Sequence, residues 1–199
     1  MHAYYFRKRS KIDLTKGQPK VAKLQVGLGW DPIGQSGGFL SSLFGSKPNV
    51  DCDASVVMLE EDRFLNKNDL VYFGNKLSTC GSIIHSGDNL TGEGAGDDET
   101  IFVELHKVPS RINRLVFVVN IYDCVNRRQD FGMIRNAYIR IQNPQTGEEF
   151  ARYNLSDNYA GKTTLIAGEM YRHGSEWKFS AVGEGTQDKN LSEIVSRYQ

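Results

Sequence analysis

Thirteen residues, Gly87 to Glu99, hold the densest chemistry in the sequence. They read Gly-Asp-Asn-Leu-Thr-Gly-Glu-Gly-Ala-Gly-Asp-Asp-Glu, with four glycines and the five carboxylates Asp88, Glu93, Asp97, Asp98 and Glu99. No Lys or Arg stands between Lys76 and Lys107 to neutralise them. Carboxylates this close repel one another unless they spread into water or share a cation. Glycines let the backbone curl so that carbonyls and side chains converge on one centre. Hard oxygen donors in a crowded, flexible shell suit calcium, whereas magnesium demands a tighter octahedron and keeps more water. A second pair, Asp51 and Asp53, lies at period two in Val50 to Leu59 and shares a face with Ser55, opposite Cys52, Ala54 and Val56. Two same-face carboxylates in an apolar strand are costly to bury without a partner. A cation shared with the acidic loop is such a partner. A solvated acidic loop, and a strand face that simply meets water, fit the same residues.

Other readings of the loop fail on spacing. Counted from Asp88 as an EF-hand, Glu99 falls at position twelve, but Leu90, Gly92 and Glu93 occupy positions three, five and six. As a dinucleotide fingerprint, Gly92 and Gly94 are followed by Asp97 in place of the third glycine. No GxxxxGK[ST] and no GxSxG occurs, and no nucleophile or general base can be named. His85 and His106 flank the loop and would approach across paired strands. Zinc wants three or four nitrogen or sulfur ligands, and no CxxC pair supports them.

The elements that must hold these residues are strands almost throughout. Asp69 to Phe73, Gly81 to His85 and Thr100 to His106 read as strands, the last two bounding the acidic loop so that its ends are pinned. Leu115 to Asp123 is a nearly continuous apolar run, expected of a central strand covered on both faces. Ala137 to Gln142 with Glu148 to Leu155, and Thr164 to Arg172 with Trp177 to Gly183, read as two hairpins. Phe131 to Arg135 reads as a single helical turn, and Lys189 to Tyr198 as a short C-terminal helix with Leu191, Ile194, Val195 and Tyr198 on one side. The sum is an all-β fold, a β-sandwich of two facing sheets. An N-terminal extension covers 1–11, the sandwich 12–188 with a Gly/Phe-rich loop insertion at 34–48, and the helix 189–199.

A chain of 199 residues fits one domain of this kind. Its zero formal net charge offers no global attraction to nucleic acid or to an anionic membrane surface. No apolar run is long enough to span a bilayer, and no apolar segment follows Arg7, Lys8 and Arg9 as a secretory signal requires. Three cysteines, Cys52, Cys80 and Cys124, argue against a disulfide framework and for a reducing, cytoplasmic setting.

Several motifs in order resemble the TerD family of bacterial tellurium-resistance and stress proteins. They are Leu14 to Gln18, Gly27-Leu28-Gly29-Trp30-Asp31, Asp51-Cys52-Asp53-Ala54-Ser55, the His85 to Glu99 string, Asn120-Ile121-Tyr122-Asp123 and Asn136 to Arg140. The similarity spans about residues 12 to 185, and the insertion after Asp31 resembles the TerZ-like branch. The resemblance implies a calcium-binding sandwich, commonly with two ions. It implies ligands from Asp51, Asp53, Asp88, Asn89, Gly92, Gly94, Asp97, Asp98 and Glu99, with Asp123 as a weaker candidate. It also implies a non-enzymatic stress module associated with tellurite resistance, and partners among other Ter proteins and a TerC-type membrane component. Cys52 replaces the usual apolar residue, and Ala95 stands where many members carry Asp. A metal-dependent small-ligand or nucleotide binder is the alternative of a different class.

Overall fold

Apolar residues at period two make most of the strands, and the computed structural model closes them into two sheets. It describes residues 4–15, 23–32, 50–87, 96–155 and 157–199. The 34–48 insertion and the site candidates Asp88, Asn89, Gly92 and Gly94 lie outside them.

The strands, in chain order, are β1 (Tyr4–Phe6), β2 (Lys11–Asp13), β3 (Leu24–Pro32), β4 (Cys52–Leu59), β5 (Leu70–Val71) and β6 (Ile83–His85), then β7 (Glu99–Val103), β8 (Arg114–Ile121), β9 (Ile134–Gln142), β10 (Glu149–Asn154), β11 (Thr164–His173) and β12 (Glu176–Thr186). The first sheet runs β1-β10-β9-β3-β7-β6 and the second β2-β12-β11-β8-β4-β5. All neighbours pair antiparallel except β1 with β10. The stretch read as an N-terminal extension therefore supplies β1 to one sheet and the start of β2 to the other.

Between the sheets lies the main core. Leu24, Val26, Leu28 and Trp30 of β3 face Cys52, Ala54, Val56 and Met58 of β4, while Leu115, Phe117, Val119 and Ile121 come from β8. Side chains of this size each gain about 1.5–3 kcal/mol from full burial. The alternate residues Val57, Leu59, Val116 and Val118 point out of the second sheet and are also buried. A C-terminal helix, Leu191–Ser196, covers them with Ile194 and Val195. That second layer explains why β8 reads as a continuous apolar run. The helix starts later than its apolar spacing suggests because Asn190 caps it, accepting the Glu193 N–H at 3.0 Å, while Glu193 reaches back to the Lys189 N–H at 2.9 Å. This helix is α2; a one-turn helix, α1 (Cys124–Arg127), follows β8.

Strand β3 carries glycines at 27 and 29 and ends at Pro32, which are poor strand residues. The packing on them explains their place. A Cβ at Gly27 would overlap the Asp97 carboxylate, and one at Gly29 would meet the Tyr138 ring. The strand is thinned where the end of the acidic loop crosses it.

Ile194 is fully buried over the second sheet. Ile194→Ala is expected to lower stability by about 2–4 kcal/mol, read as a shift in the urea midpoint at unchanged slope. A loss below about 0.5 kcal/mol would mean that α2 does not hold that face.

Candidate functional site

The acidic loop leaves β6 and returns in β7, and side chains at both ends are fastened to one residue of β4. Strand β5 pairs with β4 at Val56 and Val57 and stops short of Ala54, so the backbone of Ala54 faces an open edge. Glu99 Oε2 accepts the Ala54 N–H at 2.6 Å. His85 Nε2 lies 3.1 Å from Ala54 O and 3.3 Å from Glu99 Oε2. The Gly87 N–H donates to His85 Nδ1 at 3.1 Å, which leaves the ring hydrogen on Nε2, where it donates to Ala54 O. Both side chains are fully shielded from water. His106 takes no part: it is exposed beside Glu104, so the two histidines do not approach each other.

The carboxylates sort into two groups around the Cys52 thiol. Burial, then the charges of Asp53, Asp51, Glu99 and Asp98, push that thiol well above its ordinary value. Asp51 and Asp53 share one face, as their period-two spacing predicts, but the face is buried, with each residue under a tenth exposed (7% and 4%). Water does not solvate this pair as the simplest reading of the strand allowed. One oxygen of each of three acids is oriented by a donor. Asp51 Oδ2 takes Arg127 Nη1 at 3.2 Å, Asp98 Oδ2 the Trp30 N–H at 2.7 Å, and Glu99 Oε2 the Ala54 N–H. Donors of this kind fix a ligand's direction in metal sites. Asp98 is held further by its own N–H on Leu28 O at 2.8 Å. Burial raises the Asp98 pKa against the Trp30 bond, and the charges of Asp31, Asp97 and Glu99 add to the rise.

Asp97 points elsewhere. Its oxygens take Arg140 Nε at 2.7 Å and Nη2 at 3.1 Å, and the Tyr138 hydroxyl donates to it at 3.0 Å. Tyr138 lies directly across from Gly29 and Arg140 from Gly27, so the glycines make room for this clasp. Of the sequence candidates, Asp97 therefore anchors the loop's exit to the first sheet rather than joining the other acids. Asp123 is exposed, has φ 50°, and accepts from Asn126 Nδ2 at 2.7 Å. It lines, with Asp53, a groove of about 560 Å³ walled by Tyr72, Phe73, Tyr122 and Leu191.

Asn120 stands in one of the family motifs but not among the ligand candidates read from the sequence. It sits opposite Asp53 in the β4–β8 ladder and lines the same groove. It is 5% exposed, and its Oδ1 is buried with no hydrogen-bond partner among the described residues. The signal was a lone amide in the apolar run of β8. Oxygen donors only, one of them an unmatched buried carbonyl, fit a hard cation better than a soft one. Among the described residues no group of three or more His, Cys, Asp or Glu is close enough to hold an ion alone.

An all-β sandwich in which both ends of an acidic segment are fastened to one strand of the opposite sheet is the class that this geometry defines. A TerD domain model matches residues 3–198. The chain is 60% identical over 197 residues to stress response protein SCP2 of Bacillus subtilis, covering 98% of this chain and 99% of that one. It is 39% identical to tellurium resistance protein TerD of Serratia marcescens (96% and 94% covered) and 36% identical to TerZ of the same organism (95% and 93%). A solved Streptomyces coelicolor homologue of telluride resistance protein (TerD) shares the fold, with a TM-score of 0.66 at 22% identity, over 89% of this chain and 98% of that one. The chain belongs to the TerD family.

Glu99→Ala leaves the buried Ala54 N–H without its acceptor, and a loss of about 1–3 kcal/mol is expected in chemical denaturation. An unchanged midpoint would mean that the edge finds another partner. The raised Asp98 pKa gives a pH dependence in chelator-treated protein. Its folded pKa lies above the unfolded one, so the folded state binds the proton more tightly. Stability contributed by Asp98 is then present at low pH and lost as pH rises from the ordinary 3.8 through the raised value. Asp98→Asn should flatten that part of a melting-temperature profile, and an identical profile would assign the slope to other groups.

Proposed function

We propose that this protein is a cytoplasmic, non-enzymatic calcium-binding stress module of the tellurium-resistance type. Asp51, Asp53, Asp98 and Glu99 would hold the ion or ions, joined by Asn120 Oδ1 and by oxygens of the 88–95 segment, the family resemblance implying two. The observation that carries this reading is the buried Asn120 Oδ1, unmatched by any described donor, across from the buried Asp53. A desolvated carbonyl without a donor is costly unless a cation meets it, and the buried Asp53 beside it supplies negative charge for that cation. The names of the relatives support the stress and tellurium-resistance setting. No helix among the described residues is long and apolar enough to cross a membrane, and all three cysteines are free thiols. Binding would neutralise the loop and fix it against β4, completing a surface for protein partners. Other Ter proteins and a TerC-type membrane component are the partners that the family resemblance suggests.

A second reading rests on the groove. Its aromatic wall beside Asp53 has the size and lining of a small-ligand site, so a nucleotide or other small ligand would bind there with metal. A screen of calcium-loaded protein against nucleotides, with assay of turnover, separates the two.

Titration calorimetry on chelator-stripped protein, with magnesium as competitor, tests the main reading. One or two calcium ions should bind and raise the melting temperature as ligand linkage requires. Asp53→Asn and Asp98→Asn should each weaken binding about tenfold or more. No binding up to millimolar calcium, or unchanged affinity in both variants, overturns it.

A further inference from the structure

Among the described residues, three aspartates with largely covered side chains pair with arginines, and the pairs are not alike. Arg111 holds Asp69 through both nitrogens, at 2.8 Å and 2.8 Å. Arg140 holds Asp97 through Nε and Nη2, at 2.7 Å and 3.1 Å. Two-point guanidinium bonds of this kind fix geometry and are hard to exchange. Arg127 touches Asp51 through Nη1 alone, at 3.2 Å, beyond the usual length of a charge-assisted bond. Its side chain is also 36% exposed while that of Asp51 is 10% exposed, so the cation can withdraw into water and the anion cannot.

The surroundings of Arg127 give it a second resting place. Its guanidinium lies 5.2 Å from the centre of the Tyr122 ring. Tyr122 is half exposed, lines the groove beside Asp53, and meets Phe73 edge-on at 6.5 Å. The Tyr122 N–H donates to Asp51 O at 2.8 Å, so ring, arginine and carboxylate form one local unit. Arg127 ends α1, the one-turn helix between two left-handed residues, Asp123 at φ 50° and Arg128 at φ 53°.

We propose that Arg127 is a resident counter-ion of the calcium site: it neutralises Asp51 in the ion-free protein, yields that carboxylate to calcium, and thereby sets the affinity of the site and passes its occupancy to the Tyr122 groove. The inference rests on the reading of Asp51 and Asp53 as calcium ligands. Asp51 and Asp53 are buried side by side on one face, and the Arg127 guanidinium offsets negative charge there. With a two-point clasp, as at Asp97, the ion would be shut out. A single long contact to a half-exposed arginine satisfies both demands. Arg127 lies against Tyr122, a lining residue of the groove, so a movement of the arginine away from the carboxylate is felt at that wall.

Calorimetric calcium titrations of the full chelator-stripped chain test this in wild type, Arg127→Gln and Arg127→Lys. Removing a half-exposed pair should tighten calcium binding about two- to fivefold in Arg127→Gln, with a lower melting temperature in the ion-free state. Arg127→Lys, which keeps the charge, should stay near wild type and covers the case in which the glutamine variant fails to fold. The Arg127 Nε–H resonance in the NMR spectrum of the wild type should move on calcium addition. Equal affinities in wild type and Arg127→Gln, or an Arg127 resonance that stays in place as calcium binds, overturn the inference and leave the calcium reading standing. Binding by neither protein overturns the calcium reading, and this inference with it.

Discussion

A backbone N–H and a C=O on the open edge of β4, both at Ala54, must be satisfied once β5 ends. A sheet edge at this depth has no water to turn to. His85 and Glu99 meet it from the opposite sheet, and they are the last and first residues of the strands that bound the acidic loop. One hydrogen-bonding requirement therefore ties the two sheets together. It also fixes where the loop begins and ends: against β4, between Asp53 and Ser55. The nearness of the loop's acids to the β4 pair follows from that stitch, whatever the path of the loop itself.

The stitch concentrates negative charge, and the rest of the region offsets it piece by piece. Asp97 is drawn aside by Arg140 and Tyr138 across the glycines of β3. Asp98 is steered by the Trp30 N–H, and Asp51 by Arg127. The donors are mostly backbone groups at strand ends and side chains from neighbouring strands, so the acids are oriented by the frame rather than by one another. Asp98 still has a raised pKa and Asn120 still has an unmatched oxygen. The offsets are incomplete where the second sheet meets the loop, and complete at Asp97.

Much of this was legible in the sequence because it follows from short-range pattern. Period-two alternation placed β4 with Asp51 and Asp53 on one face, the apolar run placed β8 at the centre, and turn residues placed the hairpin turns within a residue or two, although β9 begins three residues earlier and β12 ends three residues later than expected. What was not legible depended on contacts between distant segments. Strand β3 carries glycines and a proline, and only the packing of Asp97 and Tyr138 on it gives them a reason. The residues before 12 looked like an extension because three-residue strands leave no periodicity. Within the site, residue type alone could not tell Asp97 from Asp98. They are neighbours in sequence, but the strand direction sends one to Arg140 on the outer face and the other to the Trp30 amide. Asn120 was hidden for the opposite reason: a single polar residue in an apolar strand has no spacing to betray it.

The end of a β-sandwich is a natural place for such a site, because strands of unequal length leave donors and acceptors there without ladder partners. Here such groups, the Trp30 and Ala54 N–H, orient the Asp98 and Glu99 carboxylates. The same arrangement couples the site to folding. Asp98 and Glu99 are held by backbone groups that come within reach only when the strands are packed, so the unfolded chain has no comparable constellation, and any ion held there stabilises the packed form alone. The coupling also runs outward. Asp53 lies on the floor of the groove and Asp51 is joined to Tyr122 by a backbone bond, so whatever neutralises the pair acts on a surface that a partner can reach.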